Sequence, residues 1–83
     1  MRPSPDIVVR RLGQGGVLVH LSSNRIFELN ETGIRIWELL NEGLDRTAIL
    51  DRLQQEFSVD APEAARELDA FVHDLRQEHF LLA

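Results

Sequence analysis

Three histidines, fourteen carboxylates and the adjacent serines Ser22 and Ser23 are the side chains of this 83-residue chain that first suggest chemistry. His73 and His79 stand six apart, so they do not share a helix face as an i,i+4 metal pair would, and His20 could join them only through tertiary folding. All three read as ordinary surface or edge histidines. The Asp and Glu residues are spread along the sequence as solvated helix faces are, rather than set in a facing pair for acid–base work. Ser22 and Ser23 fall in a polar turn with no base nearby in sequence, which argues against a nucleophile. The absence of Cys excludes disulfides, thiolate catalysis and Cys-based zinc or iron–sulfur sites. "GQGG" (Gly13–Gly16) lacks the Lys-Ser/Thr of a phosphate loop and leads into a strand, so it reads as a hairpin turn. The expectation is a non-catalytic chain with no metal and no cofactor.

What these residues sit on follows from pattern. Residues 1–6, with Pro3 and Pro5, read as an irregular N-terminal arm, and residues 7–83 as a single domain. Ile7-Val8-Val9 opens a first strand, Val17 to Leu21 forms a second and Arg25 to Leu29 a third, with turn signals at Gly13–Gly16 and Ser22-Ser23-Asn24. From Asn30 the period changes to helical. Asn30 is a good N-cap for a helix over Glu31 to Glu42, stopped by Gly43. Its Ile34, Ile36, Trp37, Leu39 and Leu40 cover most of the circumference, and Glu31, Arg35, Glu38 and Glu42 leave one narrow polar stripe. A helix apolar on most sides is buried on most sides. Gly33, inside the first turn, is a poor helix former and suggests a close approach to a neighbour.

A second helix from Asp45 or Thr47 to Phe57 carries Ile49, Leu50, Leu53 and Phe57 on one stripe. A third begins after Asp60, where Asp60 and Glu63 resemble a capping box, and runs to about His79 with Ala64, Leu68, Phe71, Val72 and Leu75 on its apolar face. "FLLA" closes the chain as an apolar tail. The fold class is therefore α+β, in the order β-β-β-α-α-α, like a winged helix-turn-helix.

That scaffold raises the alternative of a DNA-binding regulator. The charge opposes it: the net charge is -5, and Glu63, Glu67, Asp69, Asp74 and Glu78 on the third helix outnumber Arg66 and Arg76. A reading helix must neutralise phosphates, so neither nucleic acid nor an acidic membrane is expected as a partner. No apolar run approaches the ~20 residues of a membrane span, and "MRPSPDIVV" is not a signal peptide. A cytoplasmic protein is expected. What remains is the third strand, Arg25 to Leu29, which is an edge unless it pairs elsewhere. Beside an apolar helix, such an edge suits capture of an extended peptide by strand addition. The same edge could pair with a second copy to give a homodimer.

"LNETGIRIWELL" (Leu29–Leu40) resembles the "LN-x-T-G-x-x-I/L-W-x-L-L" segment of the pyrroloquinoline-quinone synthesis protein D family. Thr47, Phe57, Val59, Ala64, Asp69, Leu75 and the Leu81-Leu82 tail follow that family's later pattern, so the resemblance covers about residues 16–82. One departure is the usual Gly before the tail, which is His79 or Phe80 here. The resemblance implies a recognition element for ribosomally made, modified peptides. It would capture the precursor's leader segment as an added strand and present it to a radical-SAM enzyme, or to a leader peptidase with a cyclase, in quinone-cofactor or lasso-peptide biosynthesis. Mapped onto this chain, strand pairing would use the backbone of Arg25, Ile26, Phe27, Glu28 and Leu29. The groove wall would come from Leu68, Phe71, Val72 and Leu75, with Asp69 and Arg76 at its rim. Strand alternation places Phe27 and Leu29 on one face and Ile26 and Glu28 on the other, without saying which meets the helices.

Overall fold

In the computed structural model, which describes residues 2–82, the chain runs β1 (Arg2–Pro3), β2 (Ile7–Leu12), β3 (Gly15–His20), β4 (Arg25–Leu29), α1 (Glu31–Asn41), α2 (Arg46–Phe57), α3 (Ala61–Gln77) and β5 (Leu81–Leu82). The antiparallel sheet has the order β2-β3-β4 and precedes the three helices, as the pattern predicted. Leu12 pairs with Gly15 across a two-residue loop. Gly13 has φ +63° at the first loop position while Gln14 has no positive φ, the backbone pattern of a type II′ turn. Strand β3 begins two residues earlier than expected, because Gly15 and Gly16 join the ladder instead of the turn. Gly16 is where the sheet lies directly on α1: a Cβ there would run into the Arg10 carbonyl and stand 3.0 Å from Ile34 Cδ1.

Helix α1 is central. Ile34, Ile36, Trp37, Leu39 and Leu40 are all buried, and the helix touches β1, β3, β4 and α2. Its cap is Asn30, whose Oδ1 accepts from Gly33 N at 2.7 Å. At the other end Gly43, with φ +86°, lets the Gly43 and Leu44 amides reach the carbonyls of Leu40 and Leu39. Asp45 and Asp60 cap α2 and α3 through the amides of Ala48 and Glu63, both at 2.9 Å. Leu18 and Leu29 from the sheet, Ile49 and Leu53 from α2, and Ala64, Leu68, Val72 and Leu75 from α3 close the core around α1.

Helix α3 ends at Gln77, two residues short of expectation. His79 takes φ +65°, its amide donates to Arg76 O, and the Phe80 amide donates to Leu75 O at 2.8 Å. These are the paired bonds of a Schellman motif, with the accompanying apolar contact supplied by buried Phe80 and Leu75. The turn folds the tail back along the start of the chain. Residues 2 and 3 therefore correct the reading of residues 1–6 as an irregular arm: Arg2 pairs with Leu82 and Pro3 with Leu81. Ser4 adds bonds to the backbone carbonyls of Phe80 and His79. The physical reason is that Phe80 and Leu81 bury their side chains, and the backbone beside them then needs partners. Met1 of the expected arm and Ala83 of the expected domain lie outside the described residues.

Candidate functional site

Among the described residues, strand β4 pairs only with β3 and leaves its other side free. Which of its backbone groups face outward follows from the registers. A two-residue hairpin closes on a hydrogen-bonded pair, here Leu12 and Gly15, and bonding alternates along an antiparallel ladder. Gly15, Val17 and Val19 therefore address β2, and the Leu21 amide continues this phase by donating to Asp6 O. Gly16, Leu18 and His20 address β4, where their partners are Leu29, Phe27 and Arg25. The N–H and C=O groups of Ile26 and Glu28 are left pointing to the free edge.

The side chains settle which face meets the helices. Leu29 is buried and Phe27 half-buried, with the Phe27 ring edge-on to Phe71 at 5.9 Å and to Phe80 at 5.7 Å. Arg25, on the same face, bonds Glu78 at 3.0 Å. Ile26 and Glu28 point to the outer face, where Ile26 is 67 % exposed. Because Arg25 meets Glu78 while Phe27 meets Phe71, β4 runs antiparallel to α3. At the Leu29 end, a cavity of about 250 Å³ opens between α1 and α3, lined by Asn30, Gly33, Ile36, Glu67, Ala70, Phe71 and Asp74.

Of the helix residues expected to wall the groove, only Phe71 lines this cavity. Leu68 and Leu75 are fully buried and Val72 is 6 % exposed, so all three belong to the core. The residues expected at the rim, Asp69 and Arg76, do not line this cavity either. Asp69 is bound on α2 by Arg46, with N–O distances of 3.1 and 2.9 Å. Arg76 lies seven residues beyond Asp69 and five beyond Phe71, which turns it about 140° from the groove. The apolar stripe of α3 is wider than the groove, and most of it is consumed by α1 and α2. Glu67, Ala70 and Asp74 were missed. Glu67, four before Phe71, and Asp74, three after it, share its face, a signal readable once Phe71 is known to face β4, whereas Ala70, one before it, lies about 100° round the helix.

The remaining electrostatics lie behind the site. Arg35 bonds Glu56 of α2 and Glu38, and Arg11 from β2 also reaches Glu38. The Glu56 carboxyl is held below its ordinary range by its bond to Arg35. At Glu38 partial burial pushes upward, but the bonds from Arg11 and Arg35 outweigh it and the net shift is down. Asp69 is lowered by Arg46. Glu67 and Asp74 have no ion-pair partner among the described residues. His20 sits 3.0 Å from Ser22 Oγ through Nδ1 and edge-on to Phe80, whereas His73 and His79 are exposed. Among the described residues no group of three or more His, Asp or Glu is placed to hold a metal, and no helix is long and apolar enough to cross a membrane. Three larger concavities lie elsewhere, of about 490 Å³ beside Trp37 and Pro3, about 590 Å³ beside the β2–β3 hairpin and about 270 Å³ around Arg11, Glu38 and Glu56. Only the second of these touches β4, through Glu28 and Leu29 at its end, and its lining includes no residue of α3; a strand is recognised by an edge and a shallow groove rather than by volume.

A free strand edge laid against an apolar groove defines a module built to receive extended peptide. The chain belongs to the PqqD family: residues 15–81 match the family described as coenzyme PQQ synthesis protein D. Among solved structures it is similar to TbiB1 in complex with the TbiA(β) leader peptide, with TM-score 0.87 and 36 % identity over 98 % of this chain and 94 % of that one. It is also similar to lasso peptide synthetase B1 complexed with the leader peptide, with TM-score 0.87 and 28 % identity over 99 % and 96 %. No curated protein matches the chain.

Proposed function

We propose that this chain captures the leader segment of a ribosomally made precursor peptide as a strand added to β4, and presents it to a modifying enzyme without doing chemistry itself. The observation that carries this reading is the free edge at Ile26 and Glu28 beside the groove of Phe71 and Ala70. The two similar structures, both leader-peptide complexes, support it. The docking strand comprises Arg25 to Leu29, and Phe71 forms the helical wall.

The mechanism is delivery. A disordered leader orders on the edge, and tethering raises the core peptide's concentration at the enzyme, on the order of millimolar for a short linker. The partner is a radical-SAM enzyme, or a leader peptidase acting with a cyclase. The lasso setting has the better support, since one of the two similar structures is a lasso peptide synthetase B1. The site of action on this reading is the cytoplasm, where precursors are made. A second copy paired at β4 would compete with the leader, so leader binding should dissolve any such homodimer. A DNA-binding role is disfavoured by the acidic surface of α3.

The test is titration of labelled protein with synthetic leaders encoded beside this gene. Amide shifts centred on Arg25–Leu29 and the Phe71 face of α3 are expected. Absence of binding by every neighbouring leader would sink the proposal. A radical-SAM gene, or peptidase and cyclase genes, in that neighbourhood decides the partner.

A further inference from the structure

We propose that the leader recognised by this chain carries a Lys or Arg on its inward face, held by Glu67 or by Asp74 next to the apolar side chain that fills the cavity. The proposal rests on the leader-binding reading and adds the leader's side-chain chemistry. Glu67 and Asp74 thereby become residues that set specificity.

The groove has two unlike parts. Gly33, Ile36, Ala70 and Phe71 make an apolar floor, and the α3 side of its mouth carries Glu67 and Asp74. Both carboxylates are on exposed residues. They stand two helical turns apart, about 10.5 Å along the axis. The chain's ion pairs employ Glu38, Glu42, Glu56, Asp69 and Glu78, and leave these two free among the described residues. An added strand on β4 projects every second side chain toward α3, at intervals of about 7 Å. One inward side chain can therefore enter the cavity while its neighbour passes along Phe71 and Ala70 to a carboxylate. Lys and Arg suit that path, since an apolar stem ends in a cation that stays hydrated. An inward Asp or Glu would meet like charge, so the same rim rejects acidic leaders. Glu78, at the Arg25 end of the same face, is already occupied by Arg25, which leaves Glu67 and Asp74 to the leader.

The experiment is selection of a displayed random 12-residue library on the wild-type chain and on the E67Q/D74N double variant. Both changes are on exposed helix positions, and an unchanged thermal midpoint and amide spectrum would verify the fold. Wild-type selections should be enriched in Lys or Arg beside an apolar residue, and the double variant should lose that enrichment. For one selected peptide, replacing its Lys by norleucine should weaken wild-type binding about three- to tenfold at low salt, with little effect on the double variant. Selected peptides that shift β4 amides but show no basic enrichment, or bind both proteins equally, would overturn this proposal and leave leader capture standing. Failure of any selected peptide to perturb Arg25–Leu29 would overturn both.

Discussion

His79 holds a left-handed backbone, φ +65°, at the exit of α3. An L side chain there costs about 1–2 kcal/mol, and Gly relieves it at the expense of a more flexible unfolded chain. His79→Gly should therefore raise stability by about 0.5–1 kcal/mol, measured by urea denaturation. Of His79 and Phe80, the two residues before the tail, His79 is the one whose backbone favours Gly. Gly33 poses the opposite question. A Cβ there would meet Asn30 Oδ1 at 3.2 Å and Phe71 Cε1 at 3.4 Å, while Asn30 Oδ1 is already bound to the Gly33 amide. Displacing that cap costs about 1 kcal/mol, close to what Ala gains in helix propensity. Gly33→Ala should change stability by less than about 1 kcal/mol, yet weaken leader binding, because the methyl enters the cavity wall. Thermal melts and peptide titration on one sample separate the two effects.

Strand β4 gives the element-scale prediction that most directly addresses the docking edge. The outward backbone donors are at Ile26 and Glu28, and proline is tolerated on an edge where no ladder bond is lost. Ile26→Pro or Glu28→Pro should leave the fold intact and weaken peptide binding by about tenfold, roughly the value of one lost backbone bond. Phe27→Pro removes a bond to β3 and should destabilise the protein itself. Equal effects at all three positions would contradict the derived phase. The α1–α2 contact has a pH signature. Glu56 and Glu38 both titrate below their ordinary range in the folded state. Their contribution is thus complete above the ordinary Glu range, by about pH 5, and is lost as pH falls through the lowered folded values. Thermal midpoints should be flat from neutral pH down to about 5 and then decline, with Glu56→Gln removing part of the decline. The effect should be small because the pairs are solvent-accessible.

At the scale of the whole molecule, a leader that adds a strand binds only the folded chain. Saturation at about 100 times the dissociation constant should stabilise by about 2.7 kcal/mol, raising the melting midpoint by about 10 °C or more for a domain of this size. A leader that binds without raising the midpoint would point to attachment at a disordered or partly unfolded segment. Much of this molecule was legible beforehand, and the reason is local. Helix α1, with Asn30 before it, Gly43 after it and apolar residues nearly all round, is specified by near-neighbour chemistry, as are the hairpin at Gly13 and the caps at Asp45 and Asp60. Strand β4 was legible as an edge because a three-strand meander must have one. By contrast, α3 presents more apolar surface than any single neighbour needs. Leu68, Val72 and Leu75 read no differently from Phe71 until α1 and α2 occupy that face. The same holds for charge: Asp69 and Asp74 are equivalent in sequence, but the crossing of α2 gives Arg46 to one and leaves the other at the mouth of the groove. The tail's pairing with Arg2 and Pro3 joins residues nearly the whole chain apart. The sequence by itself determined the three-stranded sheet, the three helices, their order and the existence of a free edge, because these depend on periodicity and caps within a few residues. Only the tertiary structure decided which side chains line the groove, because that depends on which faces the neighbouring elements have already buried.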